Sequence, residues 1–69
     1  MRNWLIDIRQ KKGLTQEQVA RSSKIQRAYY TMIERGDRRP STDVAQKIGE
    51  SLGFDWTIFF THEGNETTL

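Results

Sequence analysis

The segment LTQEQVARSSKIQRAYYTMIERG, residues 14–36, decides how this chain folds. Thr15 and Gln18 have the spacing of a capping box, in which a hydroxyl accepts a backbone N–H and a glutamine reaches back to the cap residue. Gly36 is a natural C-terminal stop for a helix. The helical spacing of apolar residues is interrupted only around residues 24–25, and a join that short forces its two helices to cross at a steep angle.

Outside this segment the apolar residues also keep helical spacing, and no stretch alternates as a strand does. Asn3 is the expected N-cap of the first helix, Ser41 caps the fourth, and Gly53 closes it. The chain is therefore predicted to be all-α, a compact five-helix bundle in one domain, 1–60, with a polar, frayed tail over 61–69. The helices are expected at about residues 4–12, 16–23, 26–35, 42–52 and 56–60. The core is expected to come mainly from Leu5, Ile8, Leu14, Val19, Ala20, Ile25, Tyr30, Ile33, Val44, Ile48, Leu52 and the closing aromatic residues.

The composition excludes several classes of protein. The chain has 69 residues and no cysteine, so it supports one small domain without a disulfide framework or a thiolate metal site. His62 is the single histidine and is expected to be an idle tail residue, so a His-pair metal site is also excluded. The longest uncharged apolar run, WTIFF, is too short to cross a membrane, and the N-terminus does not resemble a signal peptide. A cytoplasmic protein without a metal or cofactor is expected.

Charge is distributed unevenly along the chain. Residues 1–39 hold ten Lys and Arg against four Asp and Glu, a net charge of +6, whereas residues 40–69 hold one Lys against five Asp and Glu, a net charge of −4. This asymmetry indicates a basic working surface that would suit a polyanion. Charge alone leaves an ordinary solvated surface as the alternative.

The third predicted helix has two distinct faces. At 100° per residue, Tyr29, Tyr30 and Ile33 form an apolar stripe. A helix that enters the major groove needs short side chains where the groove is deepest, and donors that reach bases and phosphates. The opposite side, called the outward strip from here on, has that character and contains no carboxylate; it consists of Arg27, Ala28, Thr31, Met32 and Arg35.

Glu34 is a carboxylate that falls close to the outward strip. It would repel phosphate unless a cation neutralised it, and Arg9 on the first helix is the expected partner in a partly buried ion pair. A solvent-exposed Glu34 is the alternative.

Four motifs in order, GLTQEQVA, IERG, PS and LGFDW, resemble the Cro/repressor-type helix-turn-helix proteins of the XRE family. The likeness covers residues 5 to about 60, and YYTMIERGDRRPS is especially similar to phage and prophage repressors. The resemblance implies a five-helix DNA-binding domain of the phage-repressor type, whose second helix crosses the DNA backbone and whose third lies in the major groove. It also implies the buried pair of Arg9 and Glu34. Lys24 departs from the family pattern by replacing the usual turn glycine, and Ser23 by replacing an apolar residue.

Candidate site residues follow from this resemblance and from the outward strip. The expected base contacts are Gln26, Arg27, Ala28, Thr31 and Met32. The expected phosphate contacts are Gln16, Lys24, Tyr29, Arg35, Arg38 and Arg39. Phosphate contact is the alternative role for Arg27, a position at the edge of the core is the alternative for Tyr29, and an ordinary solvated loop is the alternative for Arg38 and Arg39.

The function expected from these features is that of a sequence-specific, double-stranded DNA-binding transcriptional regulator, in particular a repressor. A homodimer on an inverted repeat is expected, with half-sites about 34–36 Å apart. The aromatic residues Trp56, Phe59 and Phe60 are expected in the core first, and as dimer contacts where exposed. An antitoxin or restriction-control regulator is one alternative, and a helical protein–protein module using residues 55–60 is another. The chain lacks a catalytic constellation, so neither an enzyme nor a small-molecule substrate is expected.

Overall fold

The helices account for most of the part of the chain that the structure describes. A computed structural model describes residues 1–61, so the remainder of the predicted tail and His62 lie outside the described residues. The helices are α1, Asn3–Lys11; α2, Gln16–Ser22; α3, Arg27–Arg35; and α4, Thr42–Leu52. A short α5 begins at residue 58 and is described as far as residue 61. The all-α class is confirmed, and no strand occurs within residues 1–61.

Local capping chemistry sets most of the helix ends. The Thr15 hydroxyl accepts from the Gln18 backbone N–H at 3.1 Å, and the Gln18 side-chain oxygen accepts from the Thr15 backbone N–H at 2.8 Å, which confirms the capping box. The Ser41 hydroxyl caps α4 by accepting a backbone N–H at 3.2 Å. Gly36 and Gly53 end α3 and α4 in the left-handed region, with φ of 87° and 77°. Each end therefore follows from a few neighbouring residues.

The start of α1 differs from the prediction. Asn3 lies inside the helix, and Arg2 occupies the N-cap position without a side-chain capping bond. The backbone N–H of Arg2 donates to the Glu34 carbonyl at 2.7 Å, and its guanidinium donates to the carbonyls of Ile33 and Arg38. The helix begins where it does because its first turn is held against the C-terminal end of α3, a contact between distant parts of the chain.

The core lies between α1, α2, α3, α4 and the closing segment, residues 54–61. Ala45 belongs to it although the sequence did not predict it, whereas the expected core residues Ile8, Leu14, Ile25 and Val44 are only partly buried. The buried hydrophobic residues are Leu5, Val19, Ala20, Tyr30, Ile33, Ala45, Ile48, Leu52 and Phe59.

An aromatic cluster joins the two ends of the described chain. The Trp4 ring packs edge-on against the rings of Phe54 and Phe59, with centroids 5.4 Å and 5.0 Å away. Phe59 is only 1% exposed. Phe59 therefore lies in the core, where it was expected first, and because α1 and the core cover its ring it is not exposed for the dimer contact that was the alternative. Trp56 and Phe60 remain half-buried.

The turn between α2 and α3 accommodates both departures from the family pattern. Lys24 has a positive φ of 61°, the conformation that glycine usually supplies. Ser23 is fully buried, and its hydroxyl lies 3.1 Å from the Ser51 hydroxyl on α4. That hydrogen bond satisfies a polar group that would otherwise be costly to bury.

Gly49→Ala is expected to lower the free energy of unfolding by about 1–3 kcal/mol, because it overpacks a tight contact. A methyl group on Gly49 would lie 2.9 Å from both the Phe54 carbonyl oxygen and the Trp56 Cβ, so the closing segment would have to move off α4. Urea unfolding of the variant checks the prediction. Gln46→Ala, at an exposed position of the same helix, is the control and should change little. A stabilised Gly49→Ala variant would contradict the contact.

Candidate nucleic-acid interface

The outward strip of α3 faces away from the core at both ends. The side chains of Arg27 and Arg35 are 61% and 60% exposed, and Ala28 is exposed as well. Thr31 and Met32, in the middle of the strip, are half-buried. The opposite face carries Tyr30 and Ile33, which are fully buried and anchor the helix. The strip is therefore exposed to solvent at its two arginines and partly covered at its centre.

Two carboxylates from outside α3 approach the cations of the outward strip, which sequence analysis missed. Glu17 on α2 lies 3.7 Å from the Arg27 guanidinium and also 3.6 Å from that of Arg21. Asp37, in the turn after α3, lies 3.2 Å from Arg35. A helical wheel of α3 alone could not reveal the first contact, which depends on how α2 crosses α3. These exposed pairs contribute little stability, but they hold the two arginines next to competing anions.

Glu34 is removed from the surface by a hydrogen-bonded network. The carboxylate is 1% exposed, and the Arg9 guanidinium contacts both of its oxygens, at 2.6 Å and 3.3 Å, so the expected ion pair is present. Tyr30 donates its hydroxyl to the same carboxylate at 2.6 Å, and the Gln16 amide donates at 2.9 Å. Arg9 also donates to the Leu14 carbonyl at 2.9 Å, which ties α1 to the start of α2.

The network keeps Glu34 ionised although it is buried. Burial by itself raises the pKa of a carboxyl group. The hydrogen bonds that Glu34 accepts, the strongest from Arg9, outweigh burial and hold its pKa below the usual value of 4.5. Burial, followed by the hydrogen bond to Glu34, raises the pKa of the Tyr30 hydroxyl. The carboxylate therefore acts only as an acceptor, and its partners act as donors.

Gln16 links this network to the outward strip. Its amide nitrogen donates to Glu34, and its amide oxygen accepts a hydrogen bond of 3.0 Å from the Thr31 hydroxyl. The side chain predicted to bind phosphate is thus held between α2 and α3, with the second N–H of its amide left for another acceptor. The contact between Gln16 and Thr31 was not predicted, because it joins side chains 15 residues apart on different helices.

The loop after α3 brings further cations to the same side of the molecule. The Arg38 guanidinium carbon lies 5.8 Å from the centre of the Tyr29 ring, which is within the range of a cation–π contact. The backbone N–H of Arg38 also donates to the Met32 carbonyl at 3.3 Å. Tyr29 is half-buried, and Arg39 beside Arg38 is exposed. The structure therefore brings Tyr29 and Arg38 together beside the strip.

Two other predicted residues lie at the N-terminal side of α3. Gln26 is exposed and occupies the N-cap position without making a side-chain capping bond. Lys24 is exposed in the turn and lines an open cleft of about 300 Å³ with Lys47, Glu50 and two serines. Lys24 thus faces α4 as well as the turn, and it is less closely associated with the strip than Arg38.

Comparison with known families identifies this arrangement. A family model described as helix-turn-helix matches residues 5–59, which is most of the chain. The chain belongs to the XRE-type helix-turn-helix family. As a member of this family it is a DNA-binding transcriptional regulator, and its α2 and α3 form the helix-turn-helix unit.

Two relatives of this helix-turn-helix protein illustrate the range of similarity. It is 63% identical over 67 residues to the uncharacterized HTH-type transcriptional regulator YqaF of Bacillus subtilis (strain 168), covering 97% of this chain and 88% of the relative. It is 37% identical over 46 residues to the uncharacterized HTH-type transcriptional regulator y4dJ of Sinorhizobium fredii (strain NBRC 101917 / NGR234), covering 67% of this chain and 60% of that relative. No solved structure matches the chain. Across residues 1–61, no helix of the helix-turn-helix protein has the length and apolar character to span a bilayer.

Proposed function

We propose that this protein is a repressor that binds an inverted-repeat operator in double-stranded DNA as a homodimer. The observation that carries the proposal is the exposure of Arg27 and Ala28 on α3, while Glu34 is buried and bound to Arg9. Because the one carboxylate of α3 itself is neutralised inside the fold, that side of α3 can approach phosphates once its arginines leave the exposed carboxylates of Glu17 and Asp37. Because its partner is DNA, the protein is proposed to work in the cytoplasm.

In the proposed complex α3 lies in the major groove. Arg27 is the main base reader, because a guanidinium can donate two hydrogen bonds to guanine O6 and N7. The other proposed base contacts are Gln26, Ala28, Thr31 and Met32. The proposed phosphate contacts are Gln16, Lys24, Tyr29, Arg35, Arg38 and Arg39. Among these, the contact between Arg38 and the Tyr29 ring supports a cation held close to the rim of the groove.

A dimer is proposed because one short helix offers little surface for specific affinity. With Phe59 buried, the half-buried rings of Trp56 and Phe60 are the aromatic contacts left for a second copy. Ile58, which is 39% exposed, lies between them in the sequence. The mass of the protein on and off DNA, measured by analytical ultracentrifugation, tests the dimer.

The Arg27→Met/Arg39→Met variant is expected to lose specific DNA binding, with each arginine contributing roughly 10-fold or more to affinity. Sites would first be selected from random duplex DNA with the unmodified protein, and binding then measured by fluorescence anisotropy. Lys47→Met is the matched control: it also removes a cation, but from α4, where Lys47 pairs with Asp43. Equal binding by the double variant and the control would contradict the proposal, and would favour a helical protein–protein module instead.

A second variant in the same experiment, Glu17→Gln, should bind DNA more strongly than the unmodified protein. Glu17→Gln removes the anion that lies 3.7 Å from Arg27 and frees that guanidinium for the groove. We expect affinity to rise by several-fold at low salt, because a negative charge near phosphates is also removed. Damage to the fold cannot explain a gain in affinity, so this result would locate the interface on α3. Unchanged or weaker binding by Glu17→Gln would place Arg27 away from the DNA.

A further inference from the structure

The Thr31 hydroxyl is the polar group at the centre of the outward strip, and it is not free to rotate. It donates to the Gln16 side-chain oxygen at 3.0 Å, and the nitrogen of the same amide donates to Glu34 at 2.9 Å. A threonine in the major groove can ordinarily donate to a base or accept from one, so it distinguishes bases poorly. The direction of these two hydrogen bonds therefore decides what Thr31 can recognise.

That direction follows from the buried end of the network. Glu34 is ionised and already receives hydrogen bonds from Arg9 and Tyr30, so it can only accept from Gln16. The Gln16 amide must then turn its NH₂ group toward Glu34 and its oxygen toward Thr31. An amide oxygen can only accept, so the single proton of the Thr31 hydroxyl is directed at Gln16 and away from the groove.

We propose that Gln16 is a positioning residue that leaves Thr31 with only acceptor capacity toward the groove, so that Thr31 selects bases with an amino group. The bases that offer such an amino group in the major groove are adenine, through N6, and cytosine, through N4. Their pairing partners, thymine and guanine, present acceptors that a threonine without a free proton cannot satisfy, so Thr31 selects the strand on which the amino group lies. The inference rests on the proposed placement of α3 in the major groove and specifies the base class that one position of the strip reads.

The test compares base preferences among sites selected from random duplex DNA by the unmodified protein and two variants. Thr31→Val keeps the shape of the side chain but removes the hydroxyl, so the position whose preference it changes is the position that Thr31 reads. Gln16→Met keeps a long side chain but removes the acceptor, so the Thr31 proton becomes free to turn toward the groove. Thermal unfolding of both variants establishes that the assayed protein is folded.

At the base pair that Thr31 reads, the unmodified protein should prefer adenine and cytosine on one strand over thymine and guanine on that same strand, by up to about 10-fold, the range expected of one neutral hydrogen bond. Thr31→Val should remove that preference, and Gln16→Met should admit the pairs with the strands exchanged while other positions keep their preferences. The inference would be overturned if the two best pairs at this position did not carry their amino groups on the same strand, or if Gln16→Met kept the preference unchanged. Should Gln16→Met fail to fold, the order of the four pairs at the position that Thr31→Val identifies still decides whether Thr31 acts as an acceptor.

The experiment separates this inference from the proposed function. A protein that selects no common site at all contradicts the proposed operator binding. A protein that selects a site in which Thr31→Val changes no position contradicts only the assignment of Thr31.

Discussion

Arg9→Met is expected to lower the free energy of unfolding by about 3–5 kcal/mol, the cost of leaving a buried charge without its partner. Arg9 makes the strongest of the hydrogen bonds to Glu34, and the carboxylate is almost completely buried. A domain of this size has roughly 3–5 kcal/mol of stability from its core, so the variant should be largely unfolded at room temperature. Urea unfolding followed by circular dichroism measures the loss.

In Arg9→Met the pH dependence of the free energy of unfolding should also change sign. In the unmodified protein the pKa of Glu34 is held below 4.5, so its contribution is complete above that pH and is lost as the pH falls through the folded-state pKa. In Arg9→Met the hydrogen bonds from Tyr30 and Gln16 remain, but without the guanidinium we expect burial to outweigh them and to raise this pKa above the unfolded value. The variant should therefore gain stability as the pH is lowered from 7 toward 5.

A double variant controls for the loss of packing by the arginine stem. Arg9→Met/Glu34→Gln buries no charge, so it should recover part of the lost stability and should not gain from acidification. A loss of less than about 1 kcal/mol in Arg9→Met, with an unchanged pH profile, would show that the ion pair is dispensable.

The second large effect is expected in the response of DNA binding to salt. The proposed interface brings four cations per copy to phosphates: Lys24, Arg35, Arg38 and Arg39. A dimer would then displace about eight counterions, and its affinity should fall by about 10³–10⁵-fold between about 50 and 200 mM salt. Anisotropy titrations with the selected site across this range measure the slope, and a flat response would contradict the proposed DNA interface.

The same measurement reports how many copies bind. Arg38→Met should make the logarithmic slope shallower by about two if two copies bind and by about one if a single copy binds, since each phosphate contact contributes about 0.9. Lys47→Met is again the matched control and should leave the slope unchanged. An unchanged slope in Arg38→Met would mean that the cation beside Tyr29 does not face phosphate.

Features that depend on neighbouring residues could be predicted from the sequence. The capping box of Thr15 and Gln18, the Ser41 cap, and the stops at Gly36 and Gly53 each involve residues at most a few positions apart. The two faces of α3 were also predictable, because helical geometry alone places Arg27 opposite the core. The resemblance to the family added the partner of Glu34, which a charge argument had already suggested.

Features that depend on how helices cross could not be predicted. Arg2 displaces Asn3 from the N-cap position because it binds carbonyls at the far end of α3, more than 30 residues away. The contact of Glu17 with Arg27 and the hydrogen bond of Thr31 to Gln16 both require the actual angle between α2 and α3. The burial of Phe59 was expected, but the contact of its ring with Trp4 of α1 also depends on how distant parts of the chain meet.

The left-handed backbone at Lys24 sets the charge of this residue against folding free energy. A side chain in this conformation costs about 1–2 kcal/mol, whereas a glycine would lose more freedom on folding, at about 0.5–1 kcal/mol. Lysine is therefore less favourable here than glycine by up to about 1.5 kcal/mol. The residue joining the two helices brings its cation to the motif at some cost in thermal tolerance, so regulators of this design can retune their attraction to DNA at the very hinge of the motif only by giving up stability.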